Sequence, residues 1–406
     1  MYYVLNSMKI LMLTPYLPYP LVSGGQIRTY NLLKALSAKH DITLFALIKD
    51  ESEREHLSEL KKYCSKIILF KRTRHPFVLR NILLAGFTAY PFVVTRNLPL
   101  GMAAAIQKEL SSSTYDLIHA ETFYMMPNIP ETKIPIILAE QTIEYLGYQD
   151  YMKKANPLLR PLLAIDVAKI KYWERFYWKK ADKLITMSED DKQFIEKELG
   201  VKINISVVAN GVDLAYFSAV KKKLPKDPTV LFVGTFKWLP NKEAVEEIVT
   251  KIWPLIKQKL PYAKLKIVGF SPTQRIQSFA VDPSIEMLGA IKDIRTAFAT
   301  SHMLLAPIRS GKGTRYKVLE AMITGTPVVA TPLAAEGIDL THEKNVLIAE
   351  SVAELARESV RLLKNHKLQQ FLGEAGRILV ERSYSWEGIT RDLDAVYQEF
   401  KHNDKK

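Results

Sequence analysis

A single cysteine, Cys64, stands in a chain of 406 residues. It has no partner for an intramolecular disulfide and no second thiolate for a metal site, so a disulfide-built secreted scaffold is excluded and a reducing cytosol fits best. Long hydrophobic runs are also missing. The most membrane-like stretch, residues 81–94, is shorter than the roughly 20 residues a spanning helix needs and contains Gly86 and Pro91. Residues 1–21 lack the basic start and small-residue cleavage site of a secretory signal, and Pro15, Pro18 and Pro20 interrupt them. The expected location is therefore cytoplasmic, peripheral at the inner face of a membrane. No G-x-G-x-x-G follows the first apolar run, which argues against a nicotinamide dehydrogenase. No zinc spacing or RNA-binding signature accompanies the positive charge, so nucleic acid is not expected as a partner.

Acidic residues are in deficit, 43 against 57 Lys and Arg, for a formal charge of +14. That excess draws anions, whether phosphorylated substrates or lipid headgroups. The length exceeds what one hydrophobic core usually supports and points to two domains.

Short apolar runs at 9–14, 40–47, 66–70, 117–119, 134–139, 183–187 and 205–208 alternate with helical spacing, as at Ile27, Tyr30, Leu33 and Leu36. The pattern restarts after Asn210 and Gly211, with runs at 229–233, 264–268, 285–287, 303–306 and 327–330. Strands alternating with helices predict two parallel, doubly wound α/β units, residues 1–208 and 209–384. Periodicity leaves open whether the last segment, 385–406, stays with the second unit or crosses back to the first. Ligands of such sheets bind beyond the carboxyl ends of the strands, so a cleft between the units is the default site.

The most informative segment follows Ala306. A loop, Ser310, Gly311, Lys312, Gly313, leads into a helix carrying Val318, Leu319, Ala321 and Met322. A helix start offers unpaired N–H groups and partial positive charge, which suits a phosphate or diphosphate at Gly313 and Thr314. Lys312, Arg315 and Lys317 crowd cations into this first turn, where only an anion offsets them. Glu320 lies on an otherwise apolar run and needs a partner, either sugar hydroxyls or an intrahelical pair with Lys317 or Arg315. Near the start, Ser23, Gly24 and Gly25 precede a helix, with Arg28 on its first turn. His119 reads equally as a packed strand-end histidine and as an active-site group.

GKGTRYKVLEAMITGTPVVAT, together with SGGQIRTYNLLKAL, VVANGVD and VGTFKWLPN in that order, resembles the group 1 (family 4) glycosyltransferases over nearly the whole chain. The resemblance implies a GT-B fold, two Rossmann-like domains facing across a cleft, with a final helix crossing back to the first. It implies metal-independent transfer from a nucleoside-diphosphate sugar, with retention at the anomeric carbon and no cofactor. Glu320 looks like the second glutamate of the Glu-x7-Glu motif, which holds the donor ribose. Gly313 and Thr314 would cradle the diphosphate, with Gly24 and Gly25 as the N-terminal glycine loop, and Gly289 would lie near the nucleobase. Two positions depart from the pattern. Lys312 occupies the place of the first motif glutamate, and Thr235 that of an arginine which meets the diphosphate. Arg315, Lys317 and Lys242 then become the candidates for stabilising the leaving group, and Glu121 replaces a second histidine near His119.

The acceptor is expected to be a glycan or lipid-linked, in cell-envelope or exopolysaccharide synthesis, on the strength of the basic, aromatic stretches 72–96 and 153–180. Lys171, Tyr172, Trp173, Arg175, Phe176, Tyr177, Trp178, Lys179 and Lys180 suit a headgroup interface and equally an amphipathic helix packed on its own domain. An epimerase of the same fold and a non-enzymatic basic binding protein are the competing readings.

Overall fold

The computed structural model describes residues 7–75 and 77–401. The chain divides into two compact units, Met1–Ala209 with Glu387–Lys406, and Asn210–Trp386.

In the first unit β1 (Lys9–Thr14), β2 (Asp41–Ile48), β3 (Lys66–Lys71), β4 (Leu117–Glu121), β5 (Ile136–Glu140), β6 (Lys183–Thr186) and β7 (Ile205–Val207) form a parallel sheet in the order β3-β2-β1-β4-β5-β6-β7. These strands read as unbroken apolar runs because both faces are covered, and Ile10 through Leu13 are fully buried. The 171–180 aromatics divide between two environments. Tyr177 and Trp178 are buried in a cluster with Leu138, Ile170 and Leu184, while Tyr172 and Phe176 face outward. The headgroup reading of this stretch is therefore corrected for its two most buried rings, which the domain's own core holds.

The helix Trp386–Lys401 packs within this unit. Tyr397 and His119 share a hydrogen bond of 2.7 Å, and Lys183 pairs with Glu399 at 2.8 Å. Asp394 meets His40 at 2.9 Å; burial holds that imidazole below its ordinary pKa, and Asp394 opposes the shift.

In the second unit β8 (Thr229–Val233), β9 (Lys264–Val268), β10 (Ile285–Leu288), β11 (Met303–Ala306), β12 (Val328–Ala330) and β13 (Leu347–Ile348) are ordered β10-β9-β8-β11-β12-β13. The two residues of β13 are too short for any periodicity to reveal. In both sheets the order reverses beside the first strand, between β1 and β4 and between β8 and β11, which opens a crevice at the strand ends.

The crevice of the second sheet depends on close backbone approach. A Cβ at Gly269 would overlap the carbonyl oxygen of Gly234 and the ring of Phe236. Gly269→Ala is expected to lower stability by about 1–3 kcal/mol, the usual cost of overpacking a fixed contact. A thermal unfolding midpoint equal to that of the parent would contradict this.

Candidate active site

Two loops meet at the switch point of the second sheet. The first runs from Gly234 to Trp238 and enters the helix Leu239–Glu247. Asn241, on that helix, donates from Nδ2 to the Thr235 carbonyl at 2.9 Å and accepts from Lys317 Nζ at 2.7 Å through Oδ1. One buried amide thus ties the first loop to the helix that follows the second.

The second loop, 307–315, precedes the helix Tyr316–Ile323. Arg309 pairs with Glu247 at 2.9 Å, and Ser310 Oγ donates to Glu243 at 2.5 Å. Gly311 and Gly313 take positive φ of 84° and 90°, which L side chains rarely adopt. Arg315 then closes the turn. Its guanidinium donates to the carbonyls of Gly311, Lys312 and Gly313 at 2.8, 3.0 and 2.6 Å, and stands 5.3 Å from the Trp238 ring centroid. With the carbonyls drawn toward Arg315, no described residue accepts from the backbone N–H of Gly313 or Thr314, and Arg315 at the N-cap makes no side-chain cap. Uncommitted amides leading into a helix start are an anion-binding arrangement.

The charged groups behind this turn are perturbed. Burial lowers Lys317 to about 7, with Arg315 adding to the shift and Glu320 opposing it; the ammonium lies 4.3 Å from the Phe232 ring centroid. Burial raises Glu320 to about 7, against the pull of Lys317. No ion pair forms within 4 Å between Glu320 and Lys317 or Arg315, and no described residue hydrogen-bonds to the Glu320 carboxylate. The intrahelical pair considered from the sequence is therefore not made. Arg315 is lowered to about 10 by burial.

A carboxyl raised on folding contributes its stability below its unfolded value, model 4.5, and loses it as pH climbs through about 7. Glu320→Gln is accordingly expected to stabilise the protein by roughly 1–3 kcal/mol at pH 8 and to change it little at pH 5. Denaturant titrations at the two pH values check this, and equal differences at both would contradict it.

The remaining candidates lie on this turn, on the neighbouring loop and at the far edge of the sheet. Thr314 Oγ1 accepts from Asn210 Nδ2 at 3.0 Å, and Asn210 Oδ1 accepts from the Tyr316 hydroxyl at 3.1 Å. Lys242 is half-buried on the first turn of the Leu239–Glu247 helix, with no acidic partner among the described residues. Thr235 contributes a carbonyl, not a cation, to its loop. Gly289 is exposed beyond β10, the edge strand two places from the switch point, and Gly269 N–H donates to its carbonyl at 3.3 Å. Sequence reasoning missed Glu336. It pairs with Lys312 at 2.8 Å, which brings a carboxylate to the place where a motif glutamate is absent. Its signal, a lone acid in LAAEG after β12, is visible only once the fold puts it beside Lys312.

Two assignments change. Arg315 does not present its guanidinium to solvent, being 3% exposed and bonded to three carbonyls, so it shapes the loop instead of meeting an anion directly. His119 is fully buried in β4 between Tyr397 and Glu121, 3.4 Å from the latter, and offers no surface to a substrate. Its packed reading is the one with partners, and the catalytic role falls. In the same unit Gly24 and Gly25 open the helix Gly24–Leu36, capped by Ser23. A Cβ at Gly25 would stand 2.5 Å from the Tyr16 hydroxyl and 2.8 Å from Gln141 Oε1, so a larger residue there would displace those side chains. Arg28 is buried on the same helix and donates to the Ala209 carbonyl at 2.7 Å.

Among the described residues no group of three His, Cys, Asp or Glu is placed to hold a metal, and no helix is long and apolar enough to cross a membrane. Residues 22–216 match the family model Glycosyltransferase Family 4, and 227–365 match Glycosyl transferases group 1. The phosphatidyl-myo-inositol mannosyltransferase of Mycobacterium tuberculosis is 27% identical over 47% of this chain and 53% of its own, so the match spans about half of that relative. Among solved structures, the sucrose-phosphate synthase of Thermosynechococcus elongatus superposes with a TM-score of 0.76 at 18% identity, covering 98% of this chain and 100% of that one. Anabaena HepE in complex with UDP and glucose gives 0.64 at 16%, covering 97% and 100%. Two Rossmann-like sheets, a glycine turn opening a helix at the second switch point, and family models over both halves establish that the chain is a glycosyltransferase of group 1, family 4, with the GT-B fold.

Proposed function

We propose that the enzyme transfers a sugar from a nucleoside-diphosphate donor, with retention at the anomeric carbon, to a glycan or lipid-linked acceptor of cell-envelope synthesis at a membrane surface. The observation that carries the donor reading is Glu320, a half-buried carboxylate with no hydrogen-bond donor among the described residues, on the helix that follows the uncommitted Gly313 and Thr314 amides. A carboxylate left so accepts hydroxyls, and the ribose of a nucleotide supplies a pair of them. The diphosphate then falls on the Gly313 and Thr314 amides one turn earlier, with Lys317 and Lys242 as cations. The UDP and glucose held by Anabaena HepE support this class of donor, and the lipid acceptor in the name of the mycobacterial mannosyltransferase supports the acceptor class.

In this mechanism the bond from the anomeric carbon to the diphosphate breaks as negative charge gathers on the leaving oxygen. The helix start and the Lys317 ammonium stabilise that charge, and the acceptor hydroxyl enters from the same face of the sugar. Arg315 acts as a positioning residue, holding the turn whose amides bind. The sugar itself meets the Lys312–Glu336 pair, which supplies both a donor and an acceptor. These residues perform the transfer without a metal or cofactor.

UDP, GDP and ADP, with and without their sugars, are expected to raise the unfolding midpoint selectively for one base. Glu320→Gln is expected to raise KM for that donor about 10- to 100-fold, the loss of a charge-assisted hydrogen bond. Arg315→Ala and Arg315→Lys are both expected to cut turnover by about 100-fold or more, since lysine keeps the charge and loses the three-carbonyl fork. Full activity in the lysine variant would move Arg315 from shaping the loop to supplying charge. No midpoint shift with any nucleotide would remove the donor reading.

A further inference from the structure

The first unit carries an apolar strip that is exposed among its described residues. On the helix Leu79–Phe87 the side chains of Leu79, Ile82, Leu83 and Phe87 fall on one face at helical spacing, and all are exposed, Phe87 by 87%. A second row, Leu158, Leu162 and Ile165, runs along the start of the helix Arg160–Lys180, with Leu158 exposed by 86%. The two rows are fixed to each other. Lys169 Nζ donates to the carbonyls of Ala85 and Thr88, both at 2.7 Å, and the Phe92 amide donates to Asp166 at 2.8 Å. The end of the first helix is thereby pinned one turn beyond Ile165.

The charge in the segments that carry the strip is predominantly positive. Residues 71–96 contain five Lys and Arg and no acid; residues 151–180 contain eight and two. Asp166 accepts from the Phe92 amide, and Glu174 is buried and accepts from the Glu144 and Tyr145 amides. Acids outside these segments take up part of the excess, Glu51 pairing with Lys71, Asp50 with Arg74, Asp150 with Lys153, and Glu198 with Lys171 and Arg175. Arg80, Lys179 and Lys180 are exposed with no acidic partner among the described residues.

From this we infer that the strip seats the N-terminal unit on an anionic lipid surface, with the leucines, isoleucines and Phe87 entering the headgroup boundary while the flanking cations meet phosphates. Exposed apolar side chains at helical spacing with cations beside them are the interfacial pattern. A nucleic acid would satisfy the charge and leave the apolar row in water. A second copy of the chain would bring like charge against like. The inference deepens the acceptor part of the function proposed above and rests on it for its purpose, whereas its physical basis is independent of the donor site. It narrows the membrane contact to residues 79–87 and 158–165 within the basic, aromatic stretches 72–96 and 153–180.

The test is co-sedimentation of the full chain with phosphatidylcholine vesicles, with and without phosphatidylglycerol. Leu83→Ser, Phe87→Ser and Arg80→Glu would be compared with the parent, with unfolding midpoints and nucleotide-induced stabilisation measured on each. The parent is expected to bind only the anionic vesicles and to release at about 0.5 M salt, where the Debye length falls to a few ångströms. Each variant is expected to bind about 10-fold more weakly with its midpoint and nucleotide response unchanged. Equal binding by the variants, equal binding to neutral vesicles, or a concentration-dependent dimer abolished by the serine variants would each overturn the inference. Loss of the nucleotide response with vesicle binding intact would instead strike the donor site and leave this surface standing.

Discussion

A single guanidinium holds the turn on which the catalytic unit depends. Arg315 collects three consecutive carbonyls, and a peptide chain that turns its carbonyls one way must turn its amides the other. The positive φ at Gly311 and Gly313 makes that reversal possible in five residues. The Trp238 ring covers Gly311, where a Cβ would lie 2.8 Å from it, so the loop after β8 fixes the loop after β11 from one side. Asn241 fixes the other side by bridging the Thr235 carbonyl and the Lys317 ammonium. Loops from the two strands flanking the switch point are therefore one rigid piece, preorganised before any ligand arrives.

That rigidity has an electrostatic consequence. Lys317 and Glu320 are one helical turn apart, both drawn toward about 7 by burial, and neither is neutralised by a direct contact with the other. Such a pair is poor for stability, and under the function proposed above a nucleotide would supply phosphate for the ammonium and hydroxyls for the carboxylate. The same helix is anchored in the core by Val318, Leu319 and Met322, with Gly376 lying under Met322, so its polar groups cannot relax away.

Much of this was legible in the sequence, and the misses share a cause. Strands such as TVLFV and KLKIV are continuous apolar runs because a parallel sheet buries both faces, so they announce themselves. The glycine turn before an apolar helix was likewise readable at Gly313, Thr314 and Glu320. What failed was direction: Arg315 was placed correctly and assigned outward, when its partners are the carbonyls beside it. His119 failed the same way, since only tertiary structure shows Tyr397 and Glu121 on either side of it. Glu336 and Asn241 were invisible because each acts on a residue from a distant segment, 24 and 76 positions away. The short β13 carried no period to detect. Residue type and local spacing encode the elements; the partners that decide a polar side chain's role are non-local.

In the proposed function the donor nucleotide lies on the loops that follow β8 and β11. Backbone hydrogen exchange of the full chain, with and without the nucleotide sugar that stabilises it, tests this most directly. Protection is expected to increase in 234–242 and 311–320, with Gly313 and Thr314 among the most slowed amides. Protection confined to other segments, with these two loops exchanging as they do in the free protein, would contradict it.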